Sequence, residues 1–179
     1  MRLWRMPRFL MDASKLLVSV LAAMRKHGLE GILIGNAAAA LHGAPVTTLD
    51  ADFMFRETPT NLRKLKAVAR ELQGIIMRPY YPVSKMYRLV NDDRGLQVDF
   101  MPVIHGVKSF NSLRSRAEKV TLEGKELLLA SLQDIILSKL TAARPRDLAV
   151  IPVLKQTLHE KEKTEVPSAK AKRNPRGAR

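Results

Sequence analysis

Apolar positions at helical spacing alternate along this chain with short continuous apolar runs, the pattern of a protein that mixes helices and strands. Leu16, Leu17, Val20, Leu21 and Met24 share one helical face; Asp12 stands where an N-cap belongs, and Gly28 follows the last basic turn as a stop. Gly31 to Ile34 predicts a buried strand, broken at Gly35 into an alanine-rich helix from Ala37 to about His42 that Gly43 and Pro45 end. Thr47 to Phe55 reads as the next strand. Thr58, Pro59 and Thr60 then open an amphipathic helix with Leu62, Leu65, Val68, Ala69 and Leu72 inward, and Gly74 closes it. Ile75 to Arg78 predicts a further strand.

The second half of the chain carries two hairpin patterns and two helices. Met86 to Val90 and Leu96 to Val103 flank Asn91-Asp92-Asp93-Arg94-Gly95, a composition that turns one strand back on its neighbour. Ala117 to Leu122 and Glu126 to Leu129 repeat the arrangement more weakly around Gly124. Ser131 starts a helix running to Ala142, Pro145 interrupts, and a last helix runs from about Arg146 to His159. The expected fold is α+β: a mixed sheet flanked by helices, with C-terminal helices. Residues 1–11 read as a leader without clear period, 12–159 as one domain, and 160–179, rich in Lys, Pro, Ser, Ala and Gly, as a disordered tail.

Composition narrows the chemistry. The 179 residues contain no cysteine, so disulfides, thiolate nucleophiles and thiolate metal sites are excluded, and a reducing cytoplasm is expected. Leu16 to Met24 is about half of a bilayer span, so no membrane association is expected. Formal net charge is +14, of which +4 lies in residues 160–179. The remainder suits a polyanion such as a nucleoside triphosphate or RNA, or else serves solubility alone.

The informative acids are Asp50 and Asp52, at i and i+2 in a predicted strand, so both point to one face. Two anions side by side in an apolar segment are costly unless a cation lies between them, and all-oxygen ligation suits Mg²⁺ or Mn²⁺. An edge strand with two solvated aspartates is the alternative. Upstream, Gly35 allows close backbone approach, and the amides opening the next helix offer a phosphate site; Asn36 equally suits a plain N-cap. Asp99, alone in the apolar run Leu96 to Met101, is a third candidate ligand and a candidate base for an attacking hydroxyl, against a surface position on a hairpin.

An apolar residue, a glycine turn, a spacer of thirteen residues (37–49), Asp-x-Asp on a strand and a third acid on a later strand: this series resembles the minimal nucleotidyltransferases of the DNA polymerase beta superfamily. The resemblance implies a nucleotidyl group moved from a nucleoside triphosphate, ATP among the candidates, to an acceptor hydroxyl. It implies two divalent ions on Asp50 and Asp52, Asp99 assisting the nucleophile, and the triphosphate held at Gly35 and Asn36. Thr48, two residues before Asp50, also matches the pattern, whereas Asn36 replaces the usual Gly or Ser and Val46 a frequent Arg.

Residues 131–147 are similar to a helical segment of toxin-like and abortive-infection nucleotidyltransferases, where a Lys, an Arg and an Asp recur. That likeness implies Lys139 on the nucleotide phosphates with Asp147 orienting it, tRNA or a protein as acceptor, and an antitoxin partner, with an antibiotic-type small molecule as the alternative acceptor. Read from the residues alone, Lys139 stands on an apolar helix and either reaches toward an anion or lies along a solvated face. The rival class is a catalytically weakened relative that binds nucleic acid or a partner protein; Asn36 and Val46 favour it and the three aspartates oppose it. His42, His105 and His159 are too scattered for a metal triad, and Tyr80 and Tyr81 are minor candidates for stacking on a base.

Overall fold

The computed structural model describes residues 8–48, 50–78 and 85–165. In chain order the elements are α1 (Arg8–Lys26), β1 (Gly31–Ile34), α2 (Gly35–Leu41), β2 (Ala51–Phe55), α3 (Pro59–Glu71), β3 (Ile75–Met77), β4 (Tyr87–Asn91), β5 (Leu96–Met101), α4 (Phe110–Arg114), β6 (Glu118–Leu122), β7 (Lys125–Leu129), α5 (Leu132–Ala142) and α6 (Pro145–Glu165). The strands form one mixed sheet in the order β3-β4-β5-β2-β1-β7-β6. β2 and β5 run parallel at its centre, β1 is antiparallel to β2 and parallel to β7, and the two expected hairpins supply β4-β5 and β6-β7.

Strand alternation sorts the central residues onto two faces. Leu33 lies opposite Phe53, and Phe53 opposite Phe100, on one face. Their rings stack with centroids 5.6 Å apart, Phe55 meets Tyr87 edge-on, and Met24 of α1 approaches Phe53 beside Gly31. Leu65 and Val68 of α3 are fully buried as well. Each such side chain contributes about 1.5–3 kcal/mol of transfer free energy, so this apolar layer holds the register of β2 and β5. The opposite face carries Ile34, Asp52, Gln97, Asp99 and Arg88, and α2 packs near it against β1, β2 and α5.

Local chemistry accounts for the element ends. Thr58 and Ser131 cap α3 and α5, accepting from the amides of Asn61 and Asp134. Ala143, left-handed at φ 50°, ends α5 before Pro145 opens α6.

Four expectations need correction. Asp12 does not cap α1, which begins at Arg8; once its apolar face nucleates the helix, further turns add without a period of their own. β2 begins at Ala51 rather than Thr47: β1 ends at Ile34 opposite Asp52, and the Thr48 hydroxyl bonds the Asp50 backbone locally ahead of the strand. α6 continues past His159 to Glu165, where Lys161 reaches Glu118 of β6. The limits placed at residues 12 and 159 therefore fall within α1 and α6. α4 had no sequence signal, being too short to show a period. Tyr80 and Tyr81 lie outside the described residues.

Candidate active site

Asp52 and Asp99 are register partners on neighbouring parallel strands, so their side chains stand side by side on one face. Asp50 precedes β2, yet its Oδ1 accepts 2.9 Å from Nε2 of Gln97, which shares the face of Asp99. The sequence thus brings Asp50, Asp52 and Asp99 to one place, with Asp50 supplied by a loop rather than by the strand.

Thr48 fixes that loop. Its hydroxyl donates to the Asp50 carbonyl at 2.9 Å and receives the Asp50 amide at 3.2 Å. Thr48 accordingly orients Asp50 in this structure.

Gly35 shapes the other wall. Its φ is +68°, and a Cβ there would lie 2.7 Å from Oδ2 of Asp52. Both the backbone and the space require glycine, which explains why the turn and the acid pair occur together. Asn36, within the first turn of α2, is not the N-cap: Ile34 occupies that position, with no side-chain cap. Oδ1 of Asn36 is buried without a hydrogen-bond partner, a cost of about 1–3 kcal/mol that a ligand or water would relieve.

The electrostatics centre on Asp52. Burial first, then the neighbouring Asp99 and Asp50, push its carboxyl up to about 6, while Lys139 and Arg88 pull in the opposite sense. This donor set is short of positive charge. Its chemistry suits a hard divalent cation, for which Asp50 and Asp52 could serve as oxygen ligands. Among the described residues, however, no group of three or more acidic or histidine side chains stands arranged to hold a metal ion. Asp99 is engaged elsewhere: Nε and Nη2 of Arg88 grip its Oδ1 and Oδ2 at 2.8 and 2.7 Å. Arg88 is the site residue that sequence reasoning missed. The hairpin turn did carry the signal, since a turn joining Asn91 to Leu96 sets Arg88 opposite Asp99.

Lys139 enters from α5. Its side chain is only 11% exposed, which rejects the solvated-face alternative. Its ammonium donates 3.0 Å to Oδ1 of Asp147, a buried acid also held by Arg144. Burial alone would raise the Asp147 pKa, but hydrogen bonds and charge from Lys139 and Arg144 outweigh it and hold the carboxyl below the usual aspartate range. His42 serves structure at the end of α2: its Nε2 lies 2.8 Å from the Ala130 carbonyl and its Nδ1 3.3 Å from Nζ of Lys161. A cavity of about 740 Å³, lined by Leu65, Ala69, Ile76 and Tyr87 among others, lies between α3 and β3 and touches none of the aspartates. The acids mark the chemical site better than that cavity does.

A mixed sheet with acids converging beside a glycine turn defines the nucleotidyltransferase class of enzymes. The chain belongs to the family described as nucleotidyl transferase of unknown function (DUF2204), whose model matches residues 13–175. Solved structures share the fold. The antibiotic-resistance factor ANT(2'')-Ia, in its complex with adenylyl-2''-tobramycin, superposes with TM-score 0.60 at 16% identity over 87% of this chain and 95% of that one. The lincosamide antibiotic adenylyltransferase LnuA, with lincomycin bound, gives 0.58 at 14% over 80% and 96%. TM1012 of Thermotoga maritima gives 0.56 at 17% over 82% and 92%. No curated protein matches the sequence. No helix among the described residues is long and apolar enough to cross a membrane.

Proposed function

We propose that this enzyme transfers a nucleotidyl group from a nucleoside triphosphate to an acceptor hydroxyl at the face that carries Asp50, Asp52 and Asp99. The observation that carries the reading is the juxtaposition of Asp52 with both Asp99 and the Gly35 turn. Asp50 and Asp52 would hold Mg²⁺ or Mn²⁺, with Asp99 as the third carboxylate of the set. When bound, such an ion would offset charge on the phosphates and acidify the attacking hydroxyl. The acceptor oxygen bonds to the α-phosphorus, the bridge to the β-phosphate breaks, and pyrophosphate leaves with that electron pair; Asp99 takes the hydroxyl proton. The Gly35-Asn36 turn receives the triphosphate through its backbone amides, while Asn36 Oδ1, an acceptor, would take a hydroxyl or amino donor elsewhere on the nucleotide. Lys139, steadied by Asp147, faces the same charge.

The acceptor is the open part of the reading. The net charge of +14 favours RNA, tRNA being the class implied by likeness to toxin-like members, with a protein hydroxyl and an antitoxin partner as the companion expectation. The folds of ANT(2'')-Ia and LnuA support a small antibiotic-type hydroxyl instead. The absence of cysteine suits a cytoplasmic setting. Each α-³²P triphosphate, ATP first, incubated with Mg²⁺ and in turn with total tRNA, a protein lysate and aminoglycosides, discriminates these. Label in one pool names the acceptor. Binding of RNA or a partner without label in any pool supports the rival reading, a weakened relative that keeps the fold.

A further inference from the structure

Arg88 and Asp99 face each other across β4 and β5, and the guanidinium occupies both oxygens of the acid. Asp99 is 5% exposed, and each of its oxygens already accepts from the cationic guanidinium, which repels a cation there. The Arg88 side chain is 32% exposed. Planar bidentate pairing neutralises a buried acid well, but the same fork recognises phosphate equally well. Asp52, the register partner of Asp99 on the neighbouring strand, stands beside this pair on the same face.

We propose that Arg88 is an exchangeable counter-ion: it blocks Asp99 until a metal–triphosphate complex arrives, then trades the carboxylate for nucleotide phosphate and so frees the third acid for the cation. The inference rests on the reading of the acid face as a metal and nucleotide site. It makes Arg88 a positioning residue that couples nucleotide arrival to completion of the ligand set, so that cation alone binds weakly. Catalytic metal is thereby assembled only together with substrate.

Mn²⁺ binding to the full chain without nucleotide, followed by calorimetry and by loss of the free-ion paramagnetic signal, tests it. Arg88→Met is expected to tighten Mn²⁺ on the order of tenfold. Removing any nearby positive charge attracts cations, so the deciding comparison is a double-mutant cycle. In the wild-type background Asp99→Asn should weaken Mn²⁺ binding only modestly, through the charge it leaves unpaired on Arg88; in the Arg88→Met background it should cost several-fold more and cancel the gain. No gain from Arg88→Met, or a gain that survives Asp99→Asn, overturns the proposal. Should Arg88→Met fail to fold, Arg88→Lys keeps the charge without the fork and is expected to gain about two- to threefold, again cancelled by Asp99→Asn; an unchanged affinity there overturns it. Asp52→Asn separates the two readings: Mn²⁺ binding that it leaves intact in every background sinks the metal site itself. Loss with Asp52→Asn but no effect of Arg88 sinks the counter-ion alone.

Discussion

Asp52 is ionised at neutral pH at a cost, because it is half-buried and faces Asp99 and Asp50. Its native pKa near 6 lies above the ordinary 3.8, so between those values the folded chain binds more protons than the unfolded one, and stability falls as pH rises. Asp52→Asn removes that cost. Without metal, it should raise stability by about 1–2 kcal/mol at pH 8, with the advantage fading toward pH 4; chemical denaturation at the two pH values measures this. A loss of stability at pH 8 would show that the carboxylate is held by favourable bonds. Gly35→Ala goes the other way: a left-handed φ and a Cβ against Asp52 should lower stability by about 1–3 kcal/mol and lower transfer more than tenfold, read by melting and by label incorporation. The Asp-x-Asp pair and Asp99 were legible because strand parity fixes their faces. Arg88 was as legible in principle, through the hairpin register, but a lone arginine on a half-apolar strand has no local signature. Gln97 became visible only with β2 and β5 aligned.

At the scale of elements, the turn from α5 into α6 is held by charge as well as by packing. Asp147 receives Lys139 and Arg144 and is itself 4% exposed, so Asp147→Asn leaves two cations facing a neutral amide, one of them in a nearly buried setting. The expected cost is about 2 kcal/mol at pH 7. Since the native pKa is depressed, the wild-type advantage is present above the ordinary aspartate value and is lost as pH falls through the lower, folded value. Urea denaturation at pH 7 and pH 3 checks it, and a difference that stays constant with pH would assign the effect to packing. Helices with a broad apolar face, such as α3, were readable with their caps. β2 was overextended because β1 turns away at Gly35 and Thr48 draws the Asp50 backbone into a local turn, a choice that the apolar pattern of the segment does not record. Lys139 was read as reaching for an anion, and Asp147 supplies one within the same hairpin.

For the whole molecule, the charge balance and the C-terminal helix matter most. Lys161 ties α6 to both oxygens of Glu118 and lies beside His42, so the last turns of α6 fasten β6 to the end of α2. A chain cut after His159 should therefore melt several degrees below one cut after Glu165, a loss of about 1 kcal/mol. Equal melting temperatures would mean that this contact adds nothing. The mixed sheet was foreseeable from alternating helical and strand patterns; its strand order was not, because pairing β1 with both β2 and β7 depends on contacts distant in sequence.

Nucleotidyl transfer has a stoichiometry that binding alone cannot imitate. With α-³²P triphosphate, Mg²⁺ and whichever acceptor pool takes label, pyrophosphate released should equal α-phosphate incorporated, and Asp52→Asn should abolish both while its melting curve stays cooperative. Pyrophosphate without incorporation would make the chain a hydrolase. Incorporation undiminished in Asp52→Asn would contradict the assignment of chemistry to this face of the sheet.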